Sequence, residues 1–232
     1  MRVIENQMIV LVGDNHGEYG RLFDRIDKMQ LSNCILISVG DNAFGFPGFG
    51  LNYLNKLNNN FKERNIEFLA IRGNHCDPEY YSSEYSWSNL KPLEDYTVIK
   101  INGEIWQFVG GAISVDRKYR TNNIDYWKDE VFVLNKTKAV QCDVLITHSA
   151  PPWIGPNHKG QFVESFYEKD VTLRDELIDE RKSLQELMDI CRPSKHFCGH
   201  FHCSETTQYS NQLGYVVESR ILNIEEFLEY KK

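Results

Sequence analysis

No stretch of this 232-residue chain approaches the roughly 20 consecutive apolar residues that a membrane-crossing helix needs. Nor does a long apolar segment follow the basic residue in the opening Met1-Arg2-Val3-Ile4-Glu5-Asn6-Gln7. A bilayer span and a secretory leader are therefore not expected, and the cytoplasm is the expected location. Cysteine is sparse. The six present (Cys34, Cys76, Cys142, Cys191, Cys198 and Cys203) do not recur at the tight spacings of a small disulfide scaffold, so free thiols are expected. Dense Lys/Arg runs are missing as well: 26 basic residues face 33 acidic ones, for a net charge of −7. That balance offers no track for a phosphate backbone and argues against long nucleic acid as a partner. Two bound divalent cations would still leave it negative. There is no repeat, low-complexity tract or linker, and a single domain over residues 1–232 is expected.

The chain has 41% hydrophobic residues, enough for a packed core, and they are organised in short runs. Met8 to Val12, Cys34 to Val39, Ile66 to Ile71, Val144 to Thr147 and Lys195 to Cys198 read as strands buried on both faces of a sheet. Between them, Leu22, Phe23, Ile26 and Met29 fall on one helical stripe, as do Leu51, Leu54 and Leu57, and then Leu173, Leu177, Leu184, Leu187 and Met188. Strands alternating with helices predict βαβ units and mainly parallel pairing. The middle of the chain differs. Tyr96 to Ile101 and Glu104 to Val109 read as a hairpin, because Asn102-Gly103 suits the positive φ values of a type I′ turn. A second hairpin is expected to join Glu205–Tyr209 to Tyr215–Glu218, and with it a second sheet.

Five polar clusters follow these runs: Gly13-Asp14-Asn15-His16-Gly17, Gly40-Asp41-Asn42, Gly73-Asn74-His75, Thr147-His148-Ser149 and Gly199-His200-Phe201-His202. Five of the seven histidines fall inside them. In a parallel sheet, loops at the carboxyl ends of strands gather on one side, so residues remote in sequence can converge there. Asp14 and His16 have the spacing to offer two side chains to one ion from a turn. The carboxylate of Asp41 has two oxygens with which to bridge two ions. Asn74 brings a neutral oxygen, and His148, His200 and His202 bring imidazole nitrogen. This mixture favours manganese, with iron or zinc as alternatives, over calcium.

The order Asp-x-His, Gly-Asp, Gly-Asn-His, lone His, Gly-His-x-His resembles that of the calcineurin-like metallophosphoesterases, over nearly the whole chain from Asp14 to His202. The resemblance implies an α/β fold, a four-layer α/β/β/α sandwich of two mixed sheets flanked by helices. It implies that Asp14, His16, Asp41 and His202 hold one ion, and that Asp41, Asn74, His148 and His200 hold a second. His75 would face the substrate, binding a phosphoryl oxygen or protonating the leaving group. The implied reaction is attack of a metal-bridging hydroxide on a small phosphomonoester or phosphodiester, without a phosphoenzyme. A nuclease or cyclic-nucleotide phosphodiesterase on the same core, and a non-catalytic protein-binding scaffold, are the alternatives.

Several positions stay open at this level. Asp77 orients His75 or caps a turn. The segment Gly110 to Arg120 resembles a Gly-Gly-Ala-x-Ser-x-Asp stretch of small phage and bacterial members, where Arg117 or Arg120 would reach an anionic substrate or form a solvated basic turn. Tyr126-Trp127 and the Phe44 to Phe49 loop form an apolar rim or pack in the core. Where the phosphoprotein-phosphatase branch extends its second block as Gly-Asp-x-Val-Asp-Arg-Gly, this chain reads Gly40-Asp41-Asn42-Ala43-Phe44-Gly45-Phe46, and Phe44 and Phe46 cannot supply that charge, which argues against that activity. His196 is expected to be a core residue, His158 an exposed loop residue and Cys76 a small packed one. The natural substrate and the oligomeric state are not legible.

Overall fold

The computed structural model describes residues 1–82, 84–156, 161–211 and 214–231. Its strands are β1 (Arg2–Ile4), β2 (Met8–Val12), β3 (Cys34–Ser38), β4 (Ile66–Ala70), β5 (Leu90–Pro92), β6 (Thr97–Ile101), β7 (Glu104–Val109), β8 (Val144–Thr147), β9 (Lys195–Cys198), β10 (Glu205–Ser210), β11 (Val216–Ile221) and β12 (Phe227–Glu229). The helices are α1 (Tyr19–Lys28), α2 (Leu51–Glu63), α3 (Gln161–Tyr167) and α4 (Leu173–Cys191). One sheet has five strands in the order β12-β2-β3-β4-β5, and the other seven in the order β1-β6-β7-β8-β9-β11-β10. Both are mixed. In the first, β2 to β5 pair in parallel and β12 runs antiparallel to β2. In the second, β7, β8, β9 and β11 are parallel, β6 runs antiparallel to β7 and parallel to β1, and β10 runs antiparallel to β11.

The continuous apolar runs have a simple cause: side chains alternate between faces, and both faces are covered. Val10, Val12, Leu36 and Phe68 turn to α1 and α2, meeting Leu22, Ile26, Leu54, Leu57 and Phe61. Their sequence neighbours Ile9, Leu11, Ile35, Ile37 and Leu69 turn the other way and pack on Ile99, Ile101, Trp106, Phe108, Val144 and Ile146 of the second sheet. The far face of that sheet, with Leu145 and Val217, is covered by Leu184, Leu187, Met188 and Cys191 of α4. The result is an α/β/β/α sandwich, as the resemblance implied. Each fully buried large side chain contributes on the order of 2 kcal/mol, and such side chains fill both the layer under α1 and α2, with Tyr19, Phe44, Phe61 and Phe68, and the layer between the sheets, with Trp106 and Phe108.

The first hairpin forms as the sequence predicts, with Asn102 at φ 51° and Gly103 at φ 86° between β6 and β7. The second is present as β10 and β11, paired from Glu205–Ile221 to Ser210–Val216. Of the α1 stripe, Met29 lies beyond the helix and is exposed, because the chain turns left-handed at Gln30. Helix α4 ends where Arg192 adopts φ 48° and Pro193 blocks continuation. No helix among the described residues is long and apolar enough to cross a membrane. All six cysteines are free, Cys76 among the buried ones.

Candidate metal centre

Parallel strands determine where the polar clusters meet. The chain leaves β2 into Asp14, β3 into Asp41 and β4 into Asn74 on one sheet, and β8 into His148 and β9 into His200 on the other. Asp14, His16, Asp41 and His202 offer ligand atoms all within 4.8 Å of one another. This group could hold a metal ion. His16 Nε2 and His202 Nε2 face each other at 2.9 Å, with Asp41 Oδ2 at 3.7 Å from the former and Asp14 Oδ2 at 3.6 Å from the latter. Two imidazole nitrogens and two carboxylates aimed at one point suit a shared cation better than they suit each other.

A second convergence lies beside the first. His148 Nε2 stands 3.1 Å from Asn74 Oδ1 and 3.1 Å from Asp41 Oδ1, and His200 Nδ1 is 2.9 Å from the same Asn74 oxygen. Asp41 thus turns one carboxylate oxygen toward each group. His148 Nδ1 donates to the Val39 carbonyl at 2.8 Å, since a carbonyl can only accept, and this aims Nε2 at the cluster. The neighbouring side chains complete the orientation. Asn74 Nδ2 donates to Ser114 Oγ at 3.1 Å, which turns Oδ1 toward the histidines. The Ser114 amide is in turn held by buried Glu130 at 3.0 Å.

Electrostatics describe a site short of positive charge. Burial raises the Asp14 carboxyl to about 7, against the pull of His148, and leaves its Oδ1 buried with no hydrogen-bond partner. Burial would raise Asp41 too, but His148 and His75 hold it well below the usual carboxylate range. Burial opposes a charge on His148, yet Asp41 and Asp14 lift it to about 9, so its ring carries the proton that a cation would replace. An orphaned carboxylate oxygen and a histidine forced to act as the local cation are what a metal site with these donors should show.

The backbone is built tightly around these atoms. His16, Asp41, His200 and His202 all sit at left-handed φ, between 49° and 68°, a region non-glycine residues enter at a cost. A Cβ on Gly73 would fall 2.1 Å from Asp41 Oδ1 and 2.7 Å from His148 Nε2, and one on Gly199 2.0 Å from Asp14 Oδ1. Only glycine lets these loops approach the ligand atoms.

His75 lies at the edge of the cluster, its amide donating to Asp41 Oδ1 at 2.8 Å. Arg120 Nη2 stands 2.7 Å from His75 Nε2. A guanidinium only donates, so Nε2 accepts and the ring is neutral, in keeping with burial lowering it to about 4. Arg120 Nε is ion-paired with Asp116 at 2.8 Å, without the angle of a hydrogen bond. A cavity of about 520 Å³ opens from here, lined by Asp41, Asn74, His75, Arg120, His200 and His202 at one end.

The positions left open resolve one by one. Arg117 is not brought to the cluster: it pairs with Asp170 and Glu176 and reaches Thr172 Oγ1, tying its turn to the start of α4. Asp77 does not touch His75 but accepts from the Glu79 amide at 3.0 Å, capping a short 3₁₀ turn. Of the aromatic rim, Phe44 is fully buried between Tyr19 and Tyr81. Phe46 stacks on His75 at 5.7 Å and leans on Trp127, and neither lines the cavity. Arg72, which precedes Gly73, is spent on Asp95 and the carbonyls of residues 129–131. His196 is fully buried between Thr147 and Ser219, and His158 lies outside the described residues. Ser114, Asp116 and Glu130 were missed. The first two stand in the Gly-Gly-Ala-x-Ser-x-Asp stretch, whose Ser and Asp are the signal that points to them.

Residues 8–204 match the family model of the calcineurin-like phosphoesterases. No curated protein matches the chain. Among solved structures, a 5'-nucleotidase precursor from Thermus thermophilus is similar over 95% of this chain and 49% of its own, at 14% identity and a TM-score of 0.42. A protein serine/threonine phosphatase from Saccharomyces cerevisiae, with similarity to human phosphatase PP5, is similar over 96% and 71%, at 13% identity and a TM-score of 0.36. The chain spans about half the length of the nucleotidase precursor.

Proposed function

This chain belongs to the calcineurin-like phosphoesterase family, and we propose that it hydrolyses a small phosphomonoester or phosphodiester at a centre of two metal ions, manganese first among the candidates. The observation that carries this reading is the division of Asp41. Its Oδ2 faces the group of Asp14, His16 and His202, while its Oδ1 faces that of Asn74, His148 and His200. When bound, two ions supply an acidified water and neutralise charge growing on the phosphoryl oxygens.

The chain's own residues do the rest. Asp14, His16 and His202 hold one side of Asp41, and Asn74, His148 and His200 the other. Arg120, the cation at the cavity's ligand end, is held there by Asp116 and donates to His75. It is the group offered to phosphoryl oxygens. His75 is the ring that aims it: Nε2 accepts from Arg120, and the ring would serve the leaving oxygen only after Nε2 takes up a proton from water once the substrate has drawn Arg120's donors away. No cysteine or serine nucleophile is required: Cys76, which follows His75 in the chain, is buried and pushed up to about 11. The test is hydrolysis of 4-nitrophenyl phosphate and its bis-ester with Mn²⁺. Wild type is expected to turn over at least one, His75→Ala to fall roughly 10²-fold or more, and Asp41→Asn to lose both activity and bound metal. Full activity in either variant contradicts the assignment.

A further inference from the structure

We propose that the cavity beside the ligand cluster receives an uncharged, predominantly apolar leaving group, which makes the substrate the phosphate ester of an apolar alcohol or phenol. This deepens the reading above and rests on it. The cavity, of about 520 Å³, falls in the range of small-molecule sites, and a phosphoryl group fills only the ligand end. The remainder is walled by Val115, Pro156, Val163, Phe166, Leu177 and Phe201.

Apolar surface begins at the ligands themselves. Phe201 stands between His200 and His202 in the chain, its ring edge-on to His200 at 5.0 Å and covered by the Arg181 guanidinium at 5.2 Å. Leu177 and Phe166 continue this wall into a cluster with Ile113 and Leu173.

Charge among the described residues disfavours an anionic leaving group. Two cations line the cavity among the described residues, and both are matched. Arg120 is paired with Asp116 and donates to His75 at the ligand end. Arg181 is buried and donates to the carbonyls of Ala150, Pro151, Ile154 and Pro156. Among the described residues both guanidinium groups are thus already engaged, and no further Lys or Arg lines the cavity to meet a second phosphate or a carboxylate. Glu180, 7% exposed and with Oε2 lacking a hydrogen-bond partner, also lines the cavity. An anionic group placed there would meet a buried acid and pay desolvation without a counter-charge.

The test compares kcat/KM of the Mn²⁺-loaded protein for 2-phenylethyl phosphate, ethyl phosphate and 3-phosphoglycerate, three aliphatic esters, so that preference reports binding more than leaving-group acidity. The phenylethyl ester is expected to exceed the ethyl ester by on the order of 10-fold or more, with 3-phosphoglycerate below both. Leu177→Ala should bring the phenylethyl-to-ethyl ratio toward one, and Phe166→Ala, at a less buried position, does the same if the first variant fails to fold. A wild-type ratio near one, or 3-phosphoglycerate as the best substrate, overturns the inference. Binding of 2-phenylethanol, followed by saturation-transfer NMR, needs neither ions nor turnover. Binding that weakens in the variants while no ester is hydrolysed supports the cavity assignment and sinks the phosphoesterase reading. Hydrolysis of esters with no binding of the alcohol does the reverse.

Discussion

Replacing Ser114 with alanine removes a hydroxyl that touches no proposed ligand position directly except through Asn74. Asn74 Nδ2 donates to Ser114 Oγ at 3.1 Å, and both residues are buried. With the hydroxyl gone, the amide N–H loses its partner in a site with little room for water. An unsatisfied buried donor costs about 1–3 kcal/mol, which the side chain can escape by rotating. Rotation takes Oδ1 away from His148 and His200, now at 3.1 and 2.9 Å. Either way, the group of Asn74, His148 and His200 weakens relative to its present form. At about 1.4 kcal/mol per decade, the affinity for one ion should fall by roughly 5- to 150-fold. Calorimetric titration with Mn²⁺ should therefore show one of two binding steps weakened and the other, at Asp14, His16 and His202, nearly unchanged. Ser114→Thr, which keeps the acceptor, should lose less. Equal weakening of both steps, or none, would refute the argument that Ser114 aims Asn74.

Arg117→Ala should lower stability by about 1 kcal/mol or more while changing kcat/KM less than roughly threefold, as thermal denaturation and steady-state kinetics will report. Arg117 holds the Asp170 and Glu176 carboxyls below their usual values. The stability it adds is present above their unfolded values, near pH 4, and is lost as pH falls through the folded ones. Wild type and variant should therefore converge in acid and differ at neutral pH; a constant gap would contradict this. Gly73→Ala should reduce bound metal and activity together, measured by elemental analysis and turnover, because its Cβ would fall 2.1 Å from Asp41 Oδ1. Normal metal content would show that the loop can shift. Asp116→Asn should raise KM by roughly 3- to 10-fold with a smaller change in kcat, by releasing Arg120; an unchanged KM would remove Arg120 from substrate binding.

What the sequence disclosed follows a physical division. Strands buried on both faces, such as Cys34–Ser38, must be apolar throughout, and the loop glycines at positions 40, 73 and 199 adjoin ligand atoms closely enough that no other residue fits, so both leave a mark in sequence. The three-residue edge strands Arg2–Ile4, Leu90–Pro92 and Phe227–Glu229 carry no such mark, because each is defined by a neighbour it pairs with. The same holds for charge. Arg117 and Arg120, three residues apart, look alike in the sequence. Their fates differ because the short 3₁₀ turn between them sends one to α4 and the other to His75. Asp77 looked like a partner for His75 by proximity in sequence, but Pro78 begins a turn whose free amide at Glu79 claims the carboxylate first.

The account turns on a carboxylate shared between two cations, and anomalous diffraction from a crystal grown with Mn²⁺ tests this most directly. Two peaks roughly 3.5–4 Å apart, one against each oxygen of Asp41, with Asp14, His16 and His202 around the first and Asn74, His148 and His200 around the second, are the predicted result. A single peak, or a pair in which Asp41 touches only one ion, would contradict it.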